Sequence, residues 1–157
     1  MKIVFVCTGN TCRSSMAEAM ARNWLKIKAP QNTDARVTSA GLAVFPGSPA
    51  SQQAFEVMAE KGLDLSYHKA KQFSGELMSQ SDIVFTATEN HKRALVSMFP
   101  EADAKIHVLA EFAGSSGFDI SDPFGQSVEV YRKCAAQMEE LIDRAFNKLF
   151  YPEQNLQ

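Results

Sequence analysis

The sequence predicts an α/β fold, a single domain built on an open, parallel four-stranded sheet with helices on both faces. Short apolar runs that suit buried strands alternate with longer segments of helical character, which is typical of βαβ crossovers. The 157 residues are enough for one well-buried core but too few for two domains of ordinary size. No linker, internal repeat or low-complexity segment divides the chain, so we expect one domain over residues 1–157.

The first strand and the first helix are the most clearly marked elements. Residues 3–6, Ile-Val-Phe-Val, are apolar without interruption, as expected for a parallel strand buried on both faces. The following segment is rich in Ala, Met and Glu, which favour helices, and it predicts a helix from about residue 14 to residue 27. Pro30 and the polar residues after it end that helix.

The later elements repeat this alternation. We expect strands over residues 36–40, 82–87 and 105–109, helices over 49–61, 73–79, 88–98 and 127–149, and a frayed tail over 151–157. Gly41 stops the second strand, and Thr88 or Asn90 can cap the helix that follows the third. Residues 114–117, Gly-Ser-Ser-Gly, form a loop ahead of the last helix.

Residues that could carry chemistry are concentrated between the first strand and the first helix. Residues 7–14 read Cys-Thr-Gly-Asn-Thr-Cys-Arg-Ser and form a tight strand-to-helix loop, where α/β sheets place their ligand sites. Loop N–H groups and the helix dipole make a socket for an oxyanion, and the Arg13 guanidinium matches two oxygens of a phosphoryl group. Cys7 lies in the same field, which favours the nucleophilic thiolate. The loop therefore predicts phosphoryl transfer through a phosphocysteine.

Further motifs accompany this loop along the chain. They are Met16-Ala17-Glu18, Ser39-Ala40-Gly41, His68 and Asp122-Pro123-Phe124. Together with the Cys-x5-Arg-Ser loop, they make nearly the whole chain resemble the low-molecular-weight protein tyrosine phosphatase family. The resemblance implies a flavodoxin-like sheet of order 2-1-3-4 and a cysteine-dependent phosphatase that acts on phosphorylated proteins without a cofactor.

The loop supplies most of the expected substrate contacts. The expected phosphate-binding and substrate-binding residues are Thr8, Gly9, Asn10, Thr11, Cys12, Ser14 and Phe124. Cys7 attacks phosphorus while the loop amides and Arg13 hold the equatorial oxygens, so the site needs no metal. Ser14 can donate a hydrogen bond to the sulfur, can cap the helix, or can do both.

Two loop residues are expected to shape the loop itself. Gly9 and Asn10 suit a backbone that needs positive φ, which Asn tolerates better than most residues. The family resemblance implies that the Asn10 side chain braces the loop through Ser39 and His68.

Asp122 is the expected general acid, because the leaving group needs a proton. Pro123 rigidifies the turn that presents the carboxyl group, although Asp-Pro is also a common turn dipeptide. The resemblance favours the catalytic role, in which Asp122 later activates the water that hydrolyses the phosphocysteine. Phe124 then forms an aromatic wall of the site.

We also assign expected roles to the remaining cysteines and to two histidines. Cys12 is either a small packed residue or a thiol that captures oxidised Cys7 as a reversible disulfide, and the resemblance favours this redox role. Cys134 suits buried packing in the last helix. We expect His91 and His107 at surface or strand-edge positions without a role.

Departures from the usual family pattern bear on the substrate. Thr11 stands where the tyrosine phosphatases usually have a bulky aliphatic residue, and Asp-Pro is followed by Phe124 and Gly125 rather than by two aromatic residues. This combination resembles the bacterial branch that dephosphorylates phosphoarginine in proteins. The Thr11 hydroxyl can reach a guanidinium, and Asp122 can pair with it and protonate it. Any small residue would also fit the loop at position 11.

Three other functions remain as alternatives to a phosphoarginine phosphatase. A phosphotyrosine phosphatase would share the mechanism, with Phe45 as a second ring contact. An arsenate reductase would need further cysteines to relay a disulfide, but residues 81–100 contain none and Cys134 is poorly placed. A non-catalytic phosphate-binding module would lack Cys7 or Asp122, and both are present.

Composition and short sequence patterns limit the expected partners and cellular location of the protein. A net charge of −2 gives no reason to expect a nucleic acid or an anionic membrane as partner. The apolar runs are too short to span a bilayer, and the N-terminus resembles no secretory signal. Three cysteines form no disulfide framework and no zinc pattern. We therefore expect a cytoplasmic protein, and we also expect it to be a monomer.

Overall fold

Four parallel strands form one open sheet in the computed structural model, which describes residues 1–115 and 117–155. The strands are β1 (Lys2–Cys7), β2 (Arg36–Gly41), β3 (Ile83–Thr86) and β4 (Ile106–Val108), in the order β2-β1-β3-β4. The helices are α1 (Arg13–Lys28), α2 (Gln52–Glu60), α3 (Gly75–Gln80), α4 (Glu89–Met98), α5 (Leu109–Phe112) and α6 (Val128–Phe150). The predicted α/β class and the order 2-1-3-4 are confirmed.

The central strand β1 packs against helices on both sides. Ile3 and Phe5 lie in one core cluster with buried residues of α1 and α6, including the fully buried Phe146. Val4 and Val6 point to the opposite face and join a second cluster with residues of α3 and α4. Because successive side chains of a strand alternate between faces, an uninterrupted apolar run is what a strand covered on both sides requires.

The region around β4 departs from the prediction. A strand over residues 105–109 was expected, but β4 ends at Val108 and the chain turns directly into α5. A 3-10 helix over Pro100–Lys105, which was not predicted, precedes the strand. Proline at the first position of that helix has no N–H to satisfy, and Lys105 Nζ donates to the carbonyl oxygens of Met78 and Ser81 at 2.6 and 3.0 Å.

The C-terminal segment is held more firmly than a frayed tail. Tyr151 Oη donates to the carbonyl oxygen of Lys28 at 2.6 Å, and a 3-10 turn follows over Pro152–Asn155. Residues 156–157 of the predicted tail, and Ser116 of the predicted glycine-rich loop, lie outside the described residues. Within residues 1–115 and 117–155, no helix combines the length and the apolar content that crossing a bilayer requires.

The sheet order places one loop at its centre. β1 pairs with β2 on one side and with β3 on the other, so the strand order reverses at β1. In open α/β sheets, ligands bind beyond the carboxyl ends of the strands at this reversal. Cys7 is the last residue of β1 and Arg13 is the first of α1, so residues 8–12 occupy that position.

Candidate active site

The loop of residues 8–12 takes its tight turn at Asn10. Asn10 has φ of 58°, and it is the one non-glycine residue with positive φ in the described part of the chain. Gly9 does not have positive φ, so that part of the prediction was wrong. A Cβ atom at Gly9 would make only an ordinary contact, 3.8 Å from Thr11 Oγ1. The turn therefore uses the tolerance of Asn for the left-handed region.

The N–H groups of this loop are available to a ligand. Among the described residues, no N–H group of residues 8–12 donates to a protein acceptor. Helix α1 begins directly behind the loop and has no acidic residue in its first turn. Free amides together with the positive end of a helix dipole form an anion site.

The Cys7 sulfur lies beside a hydroxyl that can stabilise its thiolate. Cys7 Sγ is buried and 2.9 Å from Ser14 Oγ. Asn10 Nδ2 donates to Ser14 Oγ at 2.8 Å, which leaves the Ser14 hydroxyl proton for the sulfur. Because Cys12 is the N-cap residue of α1, Ser14 is inside the helix, and the alternative in which it caps the helix is wrong.

Asn10 connects the loop to neighbouring elements. Its Nδ2 also donates to Ser39 Oγ at 2.9 Å, and its Oδ1 accepts from Lys71 N at 3.0 Å. His68 Nε2 lies 2.6 Å from the Asn10 carbonyl oxygen, so the ring nitrogen carries a proton and donates. The brace expected from Ser39 and His68 is thus present in the geometry, with Ser39 at the side chain of Asn10 and His68 at its main chain.

Gly41 lets β2 approach the loop closely. A Cβ atom on Gly41 would lie 2.4 Å from the Thr8 carbonyl oxygen and 2.5 Å from Val44 Cγ2. Both distances are shorter than real Cβ atoms show to any heavy atom, and the Thr8 carbonyl oxygen is backbone, so there is no room for a methyl group here. The Ala43 N–H bonds to the Thr8 carbonyl oxygen at 3.0 Å and uses this close approach.

Arg13 is buried and only partly satisfied by protein groups. Its Nη1 donates to the Ile120 carbonyl oxygen at 3.0 Å, and its Nη2 lies 3.5 Å from Asp122 Oδ2. Its Nε is buried and has no partner in the described part of the chain. A buried guanidinium N–H without an acceptor is costly, and an anion bound in the loop would supply one.

Asp122 and Phe124 stand opposite the loop. Asp122 Oδ1 accepts from Phe124 N at 3.1 Å, an Asx turn that fixes the carboxyl group, while half of the side chain stays exposed. The Phe124 ring is 71% exposed, so a large part of it is free to contact a substrate. Gly125 has φ of 74°, which disfavours a second aromatic residue there and accounts for the Asp-Pro-Phe-Gly sequence.

These groups line one open cavity of about 220 Å³. Its lining residues are Cys7, Thr8, Gly9, Thr11, Cys12, Arg13, Asp122 and Phe124. The structure therefore brings together residues that the sequence separates by more than a hundred positions. Phe45, considered as a second ring contact, is 87% exposed and is not among the described residues that line this cavity.

Cys12 points toward a buried tyrosine. Its Sγ lies 3.1 Å from Tyr131 Oη and 3.6 Å from Ser51 Oγ. Burial and the contact with Cys12 raise the pKa of Tyr131 to about 12, so the phenol keeps its proton. Tyr131 was not singled out in the sequence, because a tyrosine in an amphipathic helix carries no local sign of such a contact.

His91 occupies an unexpected position. It was expected at the surface without a role, but it is buried and its Nε2 lies 2.9 Å from Thr8 Oγ1. Burial, and then the charge of Arg13, lower the pKa of His91 to about 4. His107, on the edge strand β4, is half-buried and lies near the ring of Phe112.

Comparison with known proteins places this site in a family. The model of the low molecular weight phosphotyrosine protein phosphatase family matches residues 2–155. A protein-arginine-phosphatase of Geobacillus stearothermophilus is 41% identical over 94% of this chain and 95% of its own. The low molecular weight protein-tyrosine-phosphatase PtpB of Staphylococcus haemolyticus is 40% identical over 92% of this chain and 96% of its own.

A solved structure of an arginine phosphatase is also similar to this chain over nearly its whole length. The YwlE arginine phosphatase, as a mutant with a phosphorylated active site serine, superimposes with a TM-score of 0.88. It is 34% identical, and the match covers 98% of this chain and 99% of the other. The chain belongs to the low molecular weight phosphotyrosine protein phosphatase family.

Proposed function

We propose that this protein is a protein-arginine phosphatase that hydrolyses phosphoarginine through a phosphocysteine on Cys7. The observation that carries the proposal is that Thr11 and Asp122 line the same cavity as Cys7 and Arg13. A hydroxyl and a carboxylate beside the phosphate socket suit a guanidinium, which offers N–H donors and positive charge. The relative named as a protein-arginine-phosphatase supports the same substrate.

The proposed reaction has two steps. The Cys7 thiolate attacks phosphorus in line, while the loop amides and Arg13 hold the equatorial oxygens. Asp122 gives its proton to the departing nitrogen as the P–N bond breaks, which leaves phosphocysteine, the Asp122 carboxylate and an arginine guanidinium. In the second step a water oxygen attacks phosphorus while Asp122 takes a proton from that water. The P–S bond breaks, and Cys7 leaves as the thiolate, which the Ser14 hydroxyl stabilises.

Substitution of Thr11 tests the substrate. We expect wild type to show a higher kcat/KM on a phosphoarginine peptide than on the matched phosphotyrosine peptide. Thr11→Val keeps the shape and removes the hydroxyl, so it should lower kcat/KM on phosphoarginine by roughly tenfold to a hundredfold. Thr11→Ile should lower it further and favour the ring of phosphotyrosine.

Thr11→Ser, which keeps the hydroxyl, is the matched control and should retain the preference for phosphoarginine. The competing substrate is phosphotyrosine, which the exposed ring of Phe124 and the relative named as a tyrosine phosphatase favour. If the wild-type enzyme preferred phosphotyrosine peptides and Thr11→Val had the same kcat/KM as wild type, phosphoarginine would be excluded as the substrate.

We also propose that Cys12 protects Cys7 from irreversible oxidation. Peroxide converts the Cys7 thiolate to a sulfenic acid, and the Cys12 thiol condenses with it to give a disulfide and water. The observation that supports this step is that both cysteines line one cavity. A dithiol reductant then returns both thiols and is itself oxidised.

Recovery from peroxide tests this protective role. After inactivation, dithiothreitol should restore most wild-type activity and much less activity of Cys12→Ser, because unprotected Cys7 proceeds to sulfinic acid. Cys134→Ala is the matched control, since burial raises the pKa of the Cys134 thiol to about 12 and its loss should not change recovery. Equal recovery of wild type and Cys12→Ser would exclude the proposed disulfide.

We infer a cytoplasmic monomer that acts on phosphorylated proteins and not on nucleic acid. The three free cysteines and the net charge of −2 support this setting. Light scattering of the purified protein should give the mass of one chain, and a stable dimer at low micromolar concentration would contradict the monomer.

A further inference from the structure

His91 lies near the start of α4, and its side chain contacts the loop of residues 8–12, the phosphate loop. It is the third residue of α4, and its N–H donates to Oγ1 of the capping residue Thr88 at 3.1 Å. The ring is 8% exposed, and Nε2 lies 2.9 Å from Thr8 Oγ1. The other ring nitrogen, Nδ1, is buried and has no hydrogen-bond partner among residues 1–115 and 117–155.

The unpartnered Nδ1 indicates which nitrogen carries the proton. The ring is neutral near pH 7, because its burial and the Arg13 charge lower the pKa of His91 to about 4 against the opposing effect of Asp119 and Asp122. A neutral imidazole has one N–H and one lone pair. A buried N–H without an acceptor is rarer in proteins than a buried acceptor without a donor. The proton therefore lies on Nε2, which donates to Thr8 Oγ1.

This direction of the hydrogen bond determines what the Thr8 hydroxyl can do. When Thr8 Oγ1 accepts from His91, its own proton is not used in that bond. Thr8 also lines the cavity that contains Cys7 and Arg13. A hydroxyl that accepts one hydrogen bond becomes a better donor in the next, because bonds in a chain polarise one another.

We propose that His91 is a positioning residue that holds the Thr8 hydroxyl as a hydrogen-bond donor to the phosphoryl group in the cavity. The chain of donors runs from His91 Nε2 to Thr8 Oγ1 and then to a phosphoryl oxygen, and no proton is transferred along it. The proposal rests on the phosphatase function proposed above. It assigns a side-chain donor to the socket in addition to the loop amides and Arg13.

The histidine tautomer in the wild-type protein is the first test. Long-range ¹H–¹⁵N NMR on protein with ¹⁵N-labelled histidine distinguishes a protonated ring nitrogen from an unprotonated one, and loss of the signal in His91→Gln assigns it. We expect Nε2 protonated and Nδ1 unprotonated at pH 7. A proton on Nδ1 would make Thr8 the donor to His91 and would overturn the proposal, whatever the variants do to folding.

A double-mutant cycle on an aryl phosphate is the second test. Thr8→Val and His91→Leu should each lower kcat by roughly tenfold to a hundredfold, and the double variant should be little worse than Thr8→Val alone. His91→Gln, whose amide can donate to Thr8, should recover part of the loss, and Thr8→Ser should stay close to wild type. A purely structural role would not give this rescue at matched thermal stability.

Controls separate this proposal from the proposed function. His107→Gln removes a histidine outside the cavity and should leave kcat unchanged. A wild type that turns over neither aryl phosphates nor phosphopeptides would contradict the proposed function. An active wild type in which the losses from Thr8→Val and His91→Leu multiply, or in which Thr8→Val has no effect, would overturn only the role of His91.

Discussion

Arg13 has two protein contacts and one unpartnered N–H on one buried guanidinium. Nη1 is held by the Ile120 carbonyl oxygen, Nη2 faces Asp122, and Nε has no acceptor in the described part of the chain. The half-exposed carboxylate of Asp122 compensates the buried charge only in part, at 3.5 Å. An anion in the loop would give Nε an acceptor, so the guanidinium is already arranged to hold a phosphoryl group.

Asp122 can be tested as the acid by varying the leaving group. Asp122→Asn keeps the shape of the side chain and removes the proton donor, so it should lower kcat on phosphopeptides by roughly a hundredfold or more. An aryl phosphate whose leaving group needs little protonation should lose much less. Steady-state rates on both substrates measure the difference.

A second aspartate in the same segment provides the control for Asp122. Asp119 Oδ1 accepts from Glu89 N at 2.9 Å, where it supports the start of α4, and it does not line the cavity in the described structure. Asp119→Asn should therefore change both rates to a similar, small extent. Equal losses on the two substrates in Asp122→Asn would remove Asp122 as the general acid.

At the level of single residues, local motifs were more informative than long-range contacts. Residues 7–14 could be interpreted from one continuous segment, because loop, nucleophile and arginine are adjacent in sequence. The contact between Thr8 and His91 spans 83 positions, and nothing next to His91 marks it. The direction of the Ser14 hydroxyl and the absence of positive φ at Gly9 likewise depend on three-dimensional neighbours.

At the level of elements, the end of β2 supports the phosphate loop. The Leu42 N–H bonds to the Cys7 carbonyl oxygen at 3.1 Å, and Ser39 bonds to Asn10 on the other side. Gly41 lies between Ser39 and Leu42. Because it has no side chain, the backbone of β2 can approach the backbone of Thr8 closely. The position of the loop therefore depends on the second strand as well as on its own sequence.

Gly41→Ala should disturb both stability and activity. The added methyl group would overlap the Thr8 carbonyl oxygen, so we expect the free energy of unfolding to fall by about 1–3 kcal/mol. Displacement of Thr8 should also lower kcat/KM by roughly tenfold or more. Denaturant unfolding and steady-state kinetics measure the two effects.

Gly75→Ala is the matched control for this substitution. At Gly75 a Cβ atom would meet only the Phe99 ring at 3.5 Å, an ordinary contact, and alanine favours the helix α3. Stability and kcat/KM should both remain near their wild-type values. If Gly41→Ala behaved like Gly75→Ala, the close approach would not be needed to hold the loop.

At the level of the whole molecule, the architecture follows from patterns that the sequence displays directly. Buried parallel strands need uninterrupted apolar runs, and the runs in β1 and β3 are of that kind. The short edge strand β4 was harder to delimit, because Leu109 continues its apolar pattern but begins α5. Asp122 faces Cys7 and Arg13 across the cavity because the segment before α6 passes back over the phosphate loop. No periodicity in the sequence reveals that path.

The proposed mechanism requires that Cys7 receives the phosphoryl group of phosphoarginine. Rapid mixing of the wild-type enzyme with a ³²P-labelled phosphoarginine peptide, followed by quenching and peptide mapping, tests it directly. We expect label on the Cys7 peptide before inorganic phosphate accumulates, and none in Cys7→Ala. Release of phosphate from the phosphoarginine peptide without label on Cys7 at any time, or a Cys7→Ala variant that still turns over, would contradict a phosphocysteine intermediate on Cys7.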